Sequence, residues 1–488
     1  MLLFIAFTTF LAIFIQWLVF LFNRSPKTPP GPFPIPILGS LWYFIPHLKN
    51  CHAAFEKLEK DYGGVVTIYS GLAKGGKIVL ALNWDSVNMF VKGKTGELIA
   101  NRPDMLSNLR GVGMTWADYS IAKDRKAFVV KAFRDLGLSN GSNPLIGDEI
   151  VNMIEAIGNQ CNKAISPDKI ITEAVSSSIF LSIFGHRLDF SDKRFGKLFE
   201  LATIFFEGNM FEFFLIPYLK FVKPILGNKV AEAEYQMGCI LKEWLEEQRV
   251  ERQKSQVTPE NARDVLDFYL AANPGLKEIE PSYVRMNVDM FVGSMDTASK
   301  SIAWILYYLA HMPEEQERLW KEMECNGCPQ YPKYADKSKY PMLEAVIHES
   351  ARYSSMVLCG FPRLAADTVE FGSHLEYQLE KGDTVFLSGH NSQFDANYWL
   401  DPSNFRINRW IDPITGNFKN HSHMLHFGIG RRVCPGEYVG RSLVFEFTGA
   451  LIKHFQWKLD GSSDFNGASV KLTRVPFSHK LLFSHREK

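Results

Sequence analysis

Ten consecutive residues near the C-terminus, Phe427 Gly428 Ile429 Gly430 Arg431 Arg432 Val433 Cys434 Pro435 Gly436, bring a thiol, two guanidinium groups and three glycines together. The glycines permit a tight loop around the sulfur. An apolar helical stretch follows through Leu443 and Phe445 to Leu451, so a helix starting just after Cys434 would aim free N–H groups and a positive dipole end at the thiol. That placement favours the thiolate, the form of cysteine that binds metals. Arg432, two residues upstream, suits an anionic cofactor group. A lone cysteine on a Gly-rich turn is ordinarily structural, but this combination asks for a liganding role.

Two other stretches carry polar chemistry inside apolar helical patterns. Glu349 and Arg352 stand three apart in Leu343–Tyr353, so they share a face and can pair. Pro281 to Met312 reads as one helix, opened by Pro281 and Ser282 and stopped before Pro313, with a length of about 45 Å at 1.5 Å per residue. Its apolar faces say buried, yet its centre is Gly293 Ser294 Met295 Asp296 Thr297 Ala298, poor helix formers and polar groups. A hydroxyl here can bond the carbonyl one turn back, bend the helix and open a groove.

Taken position by position, Phe427–Gly436 resembles the haem loop FxxGxRxCxG of the cytochrome P-450 superfamily, in its microsomal, membrane-anchored type. The resemblance runs from the Pro-rich connector to the final strands. It implies haem b, an iron protoporphyrin IX, with Cys434 as axial thiolate ligand, Arg432 on a propionate, Phe427 near the sulfur and Gly436 in the loop. A thiolate ligand pushes electron density onto iron and favours O–O cleavage. Glu349 and Arg352 resemble the family's ExxR pair, and Phe405 Arg406 Ile407 Asn408 Arg409 Trp410 its PERF-like segment, which implies a structural triad of Glu349, Arg352 and Arg409. Ile407 and Asn408 depart from the usual Pro and Glu. The centre of the long helix resembles the oxygen-activation motif (A/G)GxDTT, with Ser294 and Ala298 as departures, and implies proton delivery by Asp296 and Thr297. Where the family's WxxxR lies, alignment on Phe128 and Arg134 puts Ala122 and Lys126, so Lys126 replaces an arginine with a compact ammonium. Arg363, after Pro362, is a second candidate for a propionate.

The elements that must position these groups are mainly helical with small antiparallel sheets, the latter expected at Val65–Tyr69, Ile78–Leu82, Thr384–Leu387 and Val470–Phe483. The 488 residues are 46% apolar and 13% aromatic, with 38 Phe, enough for a large core and an apolar ligand cavity. Lys plus Arg number 54 against 53 for Asp plus Glu, which gives no reason to expect nucleic acid as a partner. Seven scattered cysteines form no disulfide framework and fit a reducing compartment.

Residues 1–22 form an apolar run broken only by Thr8, Thr9 and Gln16, read as a single transmembrane anchor. It lacks the basic n-region and small-residue cleavage site of a signal peptide. Arg24 and Lys27 follow directly, which puts the remainder in the cytosol, on the endoplasmic reticulum membrane by family resemblance. Residues 23–39 are a Pro-rich hinge and 40–488 one catalytic domain.

Substrate is expected against Ala100–Trp116, Phe195–Leu226 and Ser354–Phe361, rich in apolar residues. Phe195, Phe199, Phe205, Phe206, Phe211, Phe213, Phe214 and Phe221 stand as a roof over haem or a membrane contact. Cys325 Asn326 Gly327 Cys328 reads as a surface loop, since no second pair or following His makes a zinc or haem-attachment site. Asn23, Asn140 and Asn420 begin glycosylation sequons that cytosolic placement leaves unmodified.

The expected activity is that of a monooxygenase, an oxidoreductase that places one atom of O2 in a small apolar substrate resembling a lipid, sterol or xenobiotic. The resemblance implies electrons from NADPH through a separate flavoprotein reductase, with cytochrome b5 as a further partner. The rival readings are a haem-thiolate peroxide isomerase or dehydratase, and a non-catalytic haem protein binding a lipid or gas. Asp296 and Thr297 argue against the former, and NADPH consumption would separate the latter.

Overall fold

The structure is a computed structural model that describes residues 1–47, 50–70, 76–103, 113–138, 145–187, 192–207, 229–254, 257–470 and 473–486, without the side chains of residues 2, 3, 6, 51 and 145. Phe211, Phe213, Phe214 and Phe221, part of the Ala100–Trp116 segment, and Asn140 lie outside the described residues.

The long helix spans Pro281–Ala310. Pro281 sits in its first turn, where a missing N–H costs nothing and the fixed φ suits a helix. Its apolar residues bury Tyr283, Met290, Phe291, Ile302, Trp304 and Leu306 against helices Asp168–Phe184, Lys229–Arg252, Pro341–Ser354 and Glu437–His454. Aromatic edges interlock there, as where Phe180 meets Phe291 with ring centroids 6.4 Å apart. The helix therefore forms the axis on which the other site-bearing helices pack.

The strands are β1 (Val65–Tyr69), β2 (Lys77–Ala81), β3 (Ala164–Ile165), β4 (Arg363–Leu364), β5 (Val369–Phe371), β6 (Tyr377–Leu379), β7 (Thr384–Leu387), β8 (Phe455–Leu459), β9 (Ala468–Val470), β10 (Arg474–Pro476) and β11 (Leu481–His485). The largest sheet has the order β1-β2-β7-β4. It is mixed rather than purely antiparallel, because β2 and β7 run parallel with Ile78 opposite Thr384. Strands this far apart in sequence are not constrained by a hairpin, so a long crossover can deliver either direction. The small sheets are β3-β11-β8, β9-β10 and β5-β6. The stretch Val470–Phe483 thus divides among three strands, with residues 471 and 472 outside the description.

At the other end, Leu2–Phe22 is a helix whose Trp17 Nε1 donates to the Pro34 carbonyl at 2.8 Å and whose Phe20 meets Tyr69 edge-on at 4.9 Å. Among the described residues no helix is long and apolar enough to cross a membrane. The Pro-rich connector is tied to the sheet edge, with Thr67 N–H donating to the Pro30 carbonyl at 2.7 Å. A Cβ on Gly31 would lie 1.9 Å from the Thr67 oxygen, so this close approach requires glycine. The CxxC is less superficial than expected. Cys325 ends an exposed turn of helix Pro313–Cys325, but Cys328 is buried.

Candidate functional site

The cysteine loop is built as a closed turn before helix Glu437–His454. Gly428 and Gly430 take φ of 76° and 74°, a left-handed backbone that a side chain would strain. Cys434 N–H then donates to the Phe427 carbonyl at 2.9 Å, closing the loop. The guanidinium of Arg441 lies over the Phe427 ring, 5.1 Å from its centroid. Cys434 lines a cavity of about 470 Å³ that Gly293, Thr297 and Ala298 of the long helix also line.

The sulfur's electrostatics differ from the sequence expectation. Burial raises the Cys434 thiol pKa, outweighing the hydrogen bond from the Gly436 backbone and the charge of Lys126, which lower it. The helix end alone does not make a thiolate here. A coordinating cation does so outright, so the residues favour this sulfur as a ligand over a free nucleophile.

Three arginines converge beside the loop, and among the described residues their hydrogen bonds go to carbonyls, with the charge of Asp118 acting on Arg432 alone. Arg432 donates to the carbonyls of Ala100 at 2.6 Å and Ala117 at 2.5 Å. Arg363 donates to the Ile429 carbonyl at 2.9 Å, and its Nη1 is buried with no hydrogen-bond partner among the described residues. Arg102 donates to the carbonyls of Phe361 at 2.7 Å and Pro362 at 2.9 Å. Burial lowers the pKa of both Arg432 and Arg363 to about 10, and Arg102 is lowered by burial and by the charges of the other two. Buried cations that raise one another's energy need an anion. Haem carboxylates meet that need, and the thiol and apolar cavity complete the fit.

Arg102 had no role in the sequence reading. It lay in the substrate-facing segment Ala100–Trp116, and only the fold brings it to Arg363 and Arg432, so nothing local marked it. Lys126 stands apart from the arginines' carbonyl cage. Its Nζ donates to the Val433 carbonyl at 2.7 Å, and burial lowers its pKa. Ala122 is buried at the position aligned with the family's tryptophan, whereas Trp116 packs edge-on against Phe361 at 5.4 Å.

Where the long helix lines the cavity, Thr297 Oγ1 donates to the Gly293 carbonyl at 2.8 Å, and Ser294 Oγ to the Met290 carbonyl at 2.5 Å. Each hydroxyl reaches one turn back, as the sequence pattern predicts, although the helix is continuous from Pro281 to Ala310. Asp296 points away from this pair toward the C-terminal strands, where its Oδ2 accepts from Thr473 Oγ1 at 3.3 Å.

Glu349 and Arg352 lie outside the cavity wall, fully buried and bidentate, with Nε to Oε2 at 2.9 Å and Nη2 to Oε1 at 2.8 Å. The carboxylate also accepts from Arg406 N–H at 2.7 Å and Trp410 Nε1 at 2.9 Å. Arg352 Nη1 reaches the carbonyls of Gln393 and Pro402. Arg409 Nε stands 3.4 Å from Glu349 Oε2, while its Nη2 donates to the Asp401 carbonyl at 3.0 Å. The departures at Ile407 and Asn408 are accommodated because this segment bonds through its backbone and Trp410.

Comparison with known proteins agrees with this architecture. The family model Cytochrome P-450 matches residues 29–481. Cytochrome P-450 2C70 of Rattus norvegicus is 27% identical, covering 97% of this chain and 98% of its own length. Human cytochrome P-450 2A6 is 24% identical over 94% of each chain, and rat cytochrome P-450 2J3 is 26% identical over 95% of this chain and 92% of its own. A family match across the body of the chain, on a mainly helical fold whose cysteine loop faces a cavity and a buried arginine cluster, leaves one conclusion: this chain belongs to the cytochrome P-450 family of haem-thiolate monooxygenases.

Proposed function

We propose that Cys434 is the axial ligand of haem b in a monooxygenase for small apolar substrates, with Arg102, Arg363 and Arg432 holding the haem carboxylates. The observation that carries this reading is the meeting of a cavity-lining thiol with three guanidinium groups, Arg102 and Arg363 buried and Arg432 half-buried, whose hydrogen bonds among the described residues go to carbonyls. Bound haem supplies reductive activation of O2, with one oxygen atom going to the substrate and the other to water.

The protein supplies position and protons. Gly428 and Gly430 hold the loop so that Cys434 faces the cavity. Thr297, at the cavity wall, holds a hydroxyl proton that can be relayed to a reacting oxygen, with Asp296 one residue away and bonded to Thr473. The cavity's apolar residues, among them Ile179, Phe205, Val292 and Leu387, exclude bulk water and bind a substrate by area. Glu349, Arg352 and Arg409 brace the segment that precedes the cysteine loop.

Electrons arrive from NADPH through a separate flavoprotein reductase, with cytochrome b5 as a further donor. Residues 1–22 anchor the chain in the endoplasmic reticulum membrane as a single pass, with residues 23–39 as hinge and 40–488 as a cytosolic catalytic domain. The apolar run of Leu2–Phe22 and the basic residues Arg24 and Lys27 after it support that arrangement.

The test is the spectrum of the reduced protein with carbon monoxide. Wild type should show the red-shifted Soret band of thiolate ligation, and Cys434→Ser should abolish it. An unchanged band in that variant would overturn the ligand assignment.

A further inference from the structure

The cavity that holds the oxidation site has a second polar station that the chemistry above does not use. Glu234, on helix Lys229–Arg252, and Arg285 and Asp289, on the long helix, all line the cavity. Arg285 Nη2 donates to Glu234 Oε1 at 2.7 Å and lies 3.2 Å from Asp289 Oδ1. Asp289 Oδ2 accepts the backbone N–H groups of Met114 and Thr115 at 2.6 and 2.9 Å. Asp289 is thereby committed to holding the loop before Trp116. Glu234 and Arg285 keep spare capacity, since Glu234 Oε2 and Arg285 Nε are both buried with no hydrogen-bond partner among the described residues. Both residues are more than nine-tenths buried.

An orphaned carboxylate oxygen and an orphaned guanidinium N–H in one cavity wall are costly unless a ligand satisfies them. The type of ligand follows from the two charges. An ammonium would serve Glu234 but meet the Arg285 cation, and a carboxylate would serve Arg285 Nε but be repelled by Glu234 and Asp289. A hydroxyl donates to the carboxylate oxygen and accepts from the N–H, and carries no charge to repel either. Burial also raises the Glu234 carboxyl to about 7. A hydroxyl remains complementary when that carboxyl is protonated, because it can then accept the carboxyl proton instead.

We propose that Glu234 and Arg285 form a recognition site for the hydroxyl end of a long apolar alcohol, whose opposite end is presented for oxidation near Thr297. The distance supports a long substrate. Along the helix, Thr297 lies about 12 Å from Asp289 and about 18 Å from Arg285, at 1.5 Å rise per residue. Between the two stations the wall is apolar, with Val288, Val292 and Ile179. This inference rests on the reading of the cavity as the haem pocket, because that reading places oxidation at the Thr297 end.

The experiment measures dissociation constants on haem-loaded protein by displacing a bound azole from the iron, read at the Soret band. Dodecan-1-ol is compared with dodecane, dodecylamine and dodecanoic acid. The alcohol should bind tighter than each of the other three by roughly tenfold or more, the size of a hydrogen bond to a charged group. Glu234→Leu should erase the preference for alcohol over dodecane, and Glu234→Gln, which keeps an acceptor and a donor, should retain most of it. If Glu234→Leu does not fold, the wild-type ligand series decides alone. Equal affinity for dodecanol and dodecane would overturn the proposal, and so would a preference for the amine or for the acid. Failure of the azole itself to bind would instead refute the haem reading, so the two failures are distinguishable.

Discussion

Lys126 and Val433 are joined by a 2.7 Å hydrogen bond from ammonium to carbonyl, which ties helix Tyr119–Asp135 to the residue before Cys434. The same helix turns Arg125 inward to the Gly113 carbonyl. Of its five cations, Lys123, Lys131 and Arg134 are therefore the exposed ones, and Arg134 is only weakly held, 3.2 Å from Asp135. Arg441 is unsuited to join them, because it is bonded to Glu437 at 2.9 Å and His348 at 2.6 Å.

This exposed basic face, carried on the helix that braces the cysteine loop, is suited to an acidic electron donor. Complementary charge there speeds encounter more than it adds affinity. Reversing Lys131 and Arg134 to Glu together should lower reductase-driven turnover several-fold at low ionic strength and flatten its salt dependence. Turnover supported by an added peroxide should survive. Equal loss in both assays would mean that the haem site had been damaged and would sink the docking role.

Glu349 and Arg352 are fully buried, with Glu349 also held by Arg406, Trp410 and Arg409, and Arg352 by the carbonyls of Gln393, Pro402 and Asn404. Truncating either strands a charge in the core, at a cost of roughly 3–5 kcal/mol, a large share of typical stability. Glu349→Ala and Arg352→Ala should be recovered at low yield with little haem, judged by the ratio of Soret to protein absorbance. Normal haem loading in either variant would contradict the bracing role.

His348 gives a pH dependence with a defined sign. Burial and the Arg441 charge lower its pKa to about 3, while its Nε2 faces Arg441 Nη1 and its Nδ1 the Glu344 carbonyl. The unfolded chain binds a proton below about 6.5 that the folded one refuses, so stability falls with pH below that value, by up to about 1.4 kcal/mol per pH unit. Glu322 and Glu446, raised by burial to about 7, act in the opposite sense: their folded state holds protons that the unfolded state has lost, so stability falls as pH rises through the carboxyl range toward 7. Comparing wild type with His348→Gln cancels those terms. The thermal midpoint at pH 7.5 minus that at pH 5.5, taken with its sign, should be lower in the variant than in wild type, and an equal or higher value would exclude His348 as the titrating group.

Thr297→Ala removes the hydroxyl that bonds the Gly293 carbonyl at the cavity wall without touching the cysteine loop. The variant should keep its haem and its carbon monoxide spectrum, while product formed per NADPH falls several-fold and peroxide rises. Unchanged coupling would reduce Thr297 to a structural role.

The local chemistry was legible in the sequence wherever neighbours along the chain do the work. The Cys434 loop depends on glycines two and four residues before Arg432, the Glu349–Arg352 pair on helical spacing, and the Thr297 back-bond on one turn of helix. For the same reason the Pro281 and Pro313 signals bounded the long helix to within two residues. Folding decided what depends on distant segments. The parallel pairing of β2 with β7 and the meeting of Arg102 with Arg363 and Arg432 join residues hundreds of positions apart, and no local pattern encodes such distances. The balance at Cys434 was also tertiary: helix placement favours the thiolate, but surrounding protein desolvates the sulfur more strongly than the helix end stabilises it. Glu234 shows the limit most plainly, since its sequence surroundings are those of a solvated helix face, and only packing against Arg285 leaves one of its oxygens buried and unsatisfied.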